Sequence, residues 1–179
     1  MQSILKKFQN KNYTEALQEL DKLLIRDPNS IEKLNLKGVI LQILNKPVQA
    51  RQNWEKATRI NGNYFDPFFN LGNSFIDEKE YSKAEIYYEK AINCQPRNFK
   101  TYYQLGFLYM KKNDLQKAFN YFQKSKDYNS NFAPTYYNLG VVLNNLNKKE
   151  DSIIYLNEAI KIDPKYIDAL FLLGINYRE

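Results

Sequence analysis

FDPFFNLGNSFIDEKEYSKAEIYYEKAINCQPRN, residues 65–98, carries two helical patterns separated by a very short polar stretch. Phe68, Leu71, Gly72 and Phe75 fall three and four apart, the spacing of one helix face. Ala84, Tyr88 and Ala91 do the same after Lys79-Glu80. The first pattern runs from about Phe65 to Glu78 and the second from about Tyr81 to Cys94, and Pro96 ends the pair. Asp66 and Pro67 suit the start of a helix. A linker this short forces the two helices to lie antiparallel.

The same pattern returns along the chain. Five of the six glycines, at 38, 72, 106, 140 and 174, stand 34 residues apart, in LKGVIL, NLGNSF, QLGFLY, NLGVVL and LLGINY. A small-residue series follows at the same period: Ala16, Ala50, Ala84, Ala118 and Ser152, and another is Ala57, Ala91, Ser125 and Ala159. A large apolar series is Leu20, Trp54, Tyr88, Phe122 and Leu156, and a breaker series is Pro28, Gly62, Pro96, Ser130 and Pro164. One hairpin cannot bury its own apolar faces, so neighbouring pairs must stack. The expected fold is all-α: a right-handed superhelical solenoid of antiparallel helical hairpins. It is expected as one array over 1–179, with a partial unit at 1–30. Full units follow at 31–64, 65–98, 99–132 and 133–166, and an unpaired first helix at 167–179.

Composition excludes several chemistries. With no histidine and one cysteine, Ser-His and Cys-His nucleophile pairs and His or thiolate metal sites are out of reach. No cofactor or metal is expected, and no phosphate-cradling glycine loop is visible, because the first-helix glycines belong to packing. Cys94 reads as a small residue near a helix end, and a lone thiol builds no internal disulfide. Asp77, Glu78 and Glu80 cluster where a turn leaves charge solvated. No apolar run approaches the ~20 residues of a membrane span, and MQSILKKFQNKN lacks the pattern of a signal peptide. A cytoplasmic protein without membrane contact is therefore expected. Of the net charge of +6, residues 1–62 supply +5, with 11 basic and 6 acidic side chains. No run of five basic residues occurs, so a solvated lysine-rich surface is preferred to a nucleic-acid footprint.

The units resemble those of the tetratricopeptide repeat (TPR) family. Residues 65–98 carry its pattern in Phe68, Leu71, Gly72, Phe75, Ala84, Tyr88, Ala91 and Pro96. Residues 99–132 carry it in Tyr102, Leu105, Gly106, Tyr109, Ala118 and Phe122, with Ser125 and Ser130 as departures. Residues 133–166 match at Tyr136, Leu139, Gly140, Ala159 and Pro164 and depart at Ser152. The match is weaker in 31–64, where Lys37 replaces a leucine and Gly62 the proline. The resemblance implies a non-catalytic scaffold that binds an extended peptide or protein segment along the first helices. Counted from each glycine, the inward positions are −6, −3, −2 and +1. They yield aromatics (Phe69, Tyr103, Tyr137), amides (Asn70, Gln104, Asn138), and Asn73, Phe107 and Lys100 as candidate peptide-binding residues. An amide offers both donor and acceptor to a peptide backbone, and aromatics add contact area at low entropy cost. The competing expectation is that Tyr103 and Tyr137 only pack between units and the amides only face water.

The amide series is also similar to the repeats of O-linked N-acetylglucosamine transferases and of bacterial TPR–transferase fusions. There an asparagine ladder holds the substrate backbone, which would make this chain the recruiting arm of a larger enzyme. Leu36 and Leu172 break that ladder here. A chaperone-tail carboxylate clamp fits less well, since of Asn35, Val39, Asn70, Lys100 and Gln104 only Asn70 and Lys100 match it. A helical-repeat RNA reader is the other alternative, and the strict 34-residue period and the uncharged amide row argue against nucleic acid. The last segment, IDALFLLGINYRE, should pack Leu170, Leu173 and Gly174 against residues 133–166. Others among Phe171, Leu172, Ile175 and Tyr177 should stay partly uncovered. A fragment of a longer chain is expected, with self-association through this helix or a simple cap as the alternatives.

Overall fold

A computed structural model describes residues 1–178. Glu179, the last residue of the expected terminal helix, lies outside the described residues. The described residues form eleven α-helices and no strand, in two compact units, Met1–Gln95 and Pro96–Glu179. The first unit holds α1 (Gln2–Gln9), α2 (Tyr13–Arg26), α3 (Ile31–Ile43), α4 (Pro47–Ile60), α5 (Phe65–Asp77) and α6 (Tyr81–Cys94). The second holds α7 (Phe99–Lys111), α8 (Leu115–Tyr128), α9 (Ala133–Asn145), α10 (Lys149–Ile162) and α11 (Ile167–Arg178). The hairpin expected over 65–98 is α5–α6, with its first helix ending one residue earlier than the apolar pattern suggests.

The glycines sit under the large apolar series, sixteen residues on. A methyl group added at Gly72 would lie 2.5 Å from the Tyr88 ring. At Gly38 it would meet Trp54 at 2.3 Å, at Gly106 Phe122 at 2.6 Å, and at Gly140 Leu156 at 2.8 Å. Trp54, Tyr88, Phe122 and Leu156 are all buried. In α3, α5, α7 and α9 glycine is therefore needed because a ring or branched side chain of the partner helix occupies the space of a Cβ. Ala84, Ala91, Ala118 and Ala159 are fully buried at the other close approaches.

Departures from the repeat pattern are filled by hydrogen bonds or ion pairs. Ser125 pairs with Thr135 at 3.0 Å in the core of the second unit. Ser152 donates to the Gly140 carbonyl at 2.8 Å and accepts from Asn176 at 3.1 Å, and Asn176 accepts from Asn144 at 2.8 Å. These bonds tie α9, α10 and α11 through buried polar groups, which would be costly unpaired. Lys37, where the pattern has leucine, reaches Asp21 on α2 at 2.7 Å.

One periodic feature has no counterpart in the residue series. Lys11, Asn45, Lys79, Asn113 and Asn147, again 34 residues apart, have φ between 57° and 62°. Each follows a first helix, and the bonds around it repeat. Lys79 N–H donates to Ile76 O and Glu80 N–H to Phe75 O, both at 2.9 Å, a Schellman closure of the helix end. Asparagine tolerates this left-handed conformation better than most residues, lysine less so.

The terminal helix differs from expectation. Leu173 packs with Leu172 against the cluster of Tyr136, Leu156, Ala159 and Ala169. Leu170, expected to pack back, is 45% exposed, because Ala169 and Asn176 take the inward positions instead. Gly174, also expected to pack back, faces open space: a Cβ there would meet no atom within 4 Å. Phe171 and Tyr177 are exposed, as expected.

Candidate functional site

In the first unit the candidate residues lie on α5. Asn70 is half-buried and donates its amide to Asn35 Oδ1 on α3 at 2.9 Å. Asn73 accepts the Tyr88 hydroxyl at 2.7 Å, so the ring that crosses Gly72 ends on this amide. Burial pushes the Tyr88 phenol far up, which keeps it a neutral donor. Phe69 stacks on Phe65 with centroids 5.4 Å apart and tilts against Tyr88. Gln42, which the inward set did not include, turns toward the same face and donates to Asp77 at 3.1 Å.

In the second unit the candidates lie on α7 and α9. Asn138 is 8% exposed, and its Nδ2 donates both to Tyr103 Oη at 3.0 Å and to Pro134 O at 2.9 Å. Its two N–H groups are thus engaged inside the protein, and only its carbonyl oxygen is left for a ligand. Packing, which the residue spacing does not reveal at Asn138, explains much of why an amide stands there. Tyr103 sits between Phe122 and Phe132, with centroids 5.7 and 5.3 Å away. Its phenol is pushed up by burial, an effect the Asn138 bond partly opposes. Tyr137 meets Tyr166 edge-on at 5.2 Å. Burial and neighbouring tyrosines push Tyr166 up to about 12.

Gln104 is different. It is half-buried on α7 and makes no hydrogen bond among the described residues. Half-buried Phe107 lies one turn further along, with the Lys111 ammonium 5.0 Å from its ring centroid. Lys100 is exposed in the first turn of α7, its backbone N–H capped by Asn98 at 3.1 Å. The second unit therefore combines a free amide at Gln104 with aromatic surface on the same helix. Among the described residues no group of three His, Cys, Asp or Glu could hold a metal ion. No helix among them is long and apolar enough to cross a membrane.

The repeat is of a known kind. Three tetratricopeptide repeat models match the chain, over residues 66–98, 87–120 and 133–166, and the chain belongs to the tetratricopeptide repeat proteins. Solved structures of the same fold are similar to it over nearly its whole length. MamA from Desulfovibrio magneticus RS-1 is 19% identical, with a TM-score of 0.81 over 92% of this chain and 93% of that one. Pseudomonas aeruginosa PilF is 21% identical, with a TM-score of 0.88 over 99% of this chain and 82% of that one. YrrB, described as a TPR protein with an unusual peptide-binding site, is 22% identical, with a TM-score of 0.74 over 94% and 87%. No curated protein sequence matches the chain.

Proposed function

We propose that this chain is a non-catalytic scaffold of the cytoplasm that holds an extended peptide or protein segment against its first helices. The observation that carries this is Gln104, an amide whose side chain has no partner among the described residues, beside half-buried Tyr103 and Phe107. A half-buried amide gains from a partner that supplies both a donor and an acceptor, and a peptide backbone does so regardless of its sequence. YrrB, of the same fold, has a peptide-binding site. Asn70, Asn73, Asn138, Phe69, Tyr137 and Lys100 would contribute, with Asn138 acting through its carbonyl oxygen and through its hold on Tyr103. The finer role, recruiting arm of a larger transferase, rests on the amide ladder, and internal bonds at Asn70 and Asn138 leave Gln104 as its one uncommitted rung.

Selection of random peptides on the wild type and on Gln104→Ala tests the proposal. Enriched extended peptides that lose at least tenfold in affinity to Gln104→Ala support it. Equal enrichment by both proteins removes the amide from the mechanism.

A further inference from the structure

The first unit contains a cleft of about 150 Å³ between α3 and α5. That is the space of about five water molecules, or of one long side chain. Val39, Ile43 and Trp54 make its apolar wall, with Gln42, Asn73 and Asp77 among its polar lining. Among the described residues the lining carries one charged group, the Asp77 carboxylate. Gln42 spends its Nε2 on Asp77, while its Oε1 is buried without any hydrogen-bond partner. Asp77 is exposed, so its carboxylate adds a negative charge at the opening. No cation among the described residues stands in the lining; Arg51, which donates to Ser74 of the cleft, is ion-paired with Glu78.

We infer that this cleft accepts an aliphatic side chain ending in a cation, of the lysine type. The methylene stem would lie on Val39, Ile43 and Trp54, as long basic side chains do on apolar surfaces. The ammonium would pair with the exposed Asp77 carboxylate. An acidic side chain meets the like charge of Asp77 there. A purely apolar one leaves the charge of Asp77 without a counter-ion. The inference deepens the peptide-scaffold reading, on which it rests, by giving one position of the ligand a basic side chain.

The test uses n-butylammonium, a lysine side chain without a backbone, so that it stands apart from the binding of peptides. The methyl resonances of Val39 and Ile43 in the full chain are followed during titration. Saturable shifts are expected with n-butylammonium and not with pentanoate. Asp77→Asn should weaken the response about tenfold, since a charge-assisted bond is lost. Asp77 is exposed, so this variant should keep its fold, which far-ultraviolet circular dichroism checks. Absence of saturation, an equal response to pentanoate, or an unchanged Asp77→Asn affinity would each overturn the assignment. If n-butylammonium binds and no peptide does, the cleft stands and the scaffold reading falls; if peptides bind without preferring a basic residue, the reverse holds.

Discussion

Alanine at the repeated glycines separates helix propensity from helix crossing within one protein. Both Gly106→Ala and Gly174→Ala remove a glycine from a helix of the second unit, which alone is worth up to about 1 kcal/mol of added stability. At Gly174 nothing opposes the gain, because no atom comes within 4 Å of the new methyl group. At Gly106 the methyl group would lie 2.6 Å from Cδ1 and from Cε1 of Phe122, a fully buried ring. Something must shift there, and overpacking of this kind costs roughly 1–3 kcal/mol. The two variants should therefore differ by about 1–3 kcal/mol, with Gly174→Ala at or above wild type. For a chain of this size each kcal/mol moves Tm by about 2–4 °C. Gly140→Ala should fall between them, since it meets Leu156 and not a rigid ring. Thermal melts and urea titrations of the three variants measure the order. Equal shifts for Gly106→Ala and Gly174→Ala would refute the claim that ring crossings, and not helix geometry, dictate the glycines.

Other outcomes follow from the same contacts. Ser152→Ala restores the alanine of the repeat pattern yet should destabilise by about 1–3 kcal/mol, because Asn176 loses its acceptor; a neutral urea midpoint would contradict this. Lys79→Gly relieves a lysine at φ 62° and should raise stability by about 1 kcal/mol, read from the same titration. Stability should decline at alkaline pH. The phenols of Tyr88, Tyr103 and Tyr166 are raised by burial above the ordinary value near 10, so the unfolded chain ionises first. Their contribution is complete below about pH 10 and is lost as pH rises through the folded values, about 12 for Tyr166. Urea midpoints that do not fall between about pH 9 and about pH 11 would contradict that sign.

The period-34 series made the hairpins, the crossings and the helix faces legible in the sequence. The glycine series and the large apolar series could each be read at the repeat period, and the structure pairs them, Gly72 with Tyr88. The site was less legible, because position on a helix does not say who takes a side chain's hydrogen bonds. Asn138 and Gln104 occupy equivalent positions, and only the first has a tyrosine hydroxyl and a carbonyl within reach. Gln42 was missed for a related reason: its interest lies in an acceptor without a donor, which no spacing reveals. The left-handed turns were missed, although Asn45, Asn113 and Asn147 recur at the repeat period. The lysines at Lys11 and Lys79 hid the rest of that series.

Those five turns bear on how the chain reaches its fold. Each closes a hairpin by bonds between residues at most five apart, such as Glu80 to Phe75. Loop closure so short costs little entropy, and proteins dominated by near-neighbour contacts fold in microseconds to milliseconds. Synthesis delivers about 5–20 residues per second, so a hairpin can form soon after its second helix has emerged. Such a polypeptide assembles in the order in which it is made.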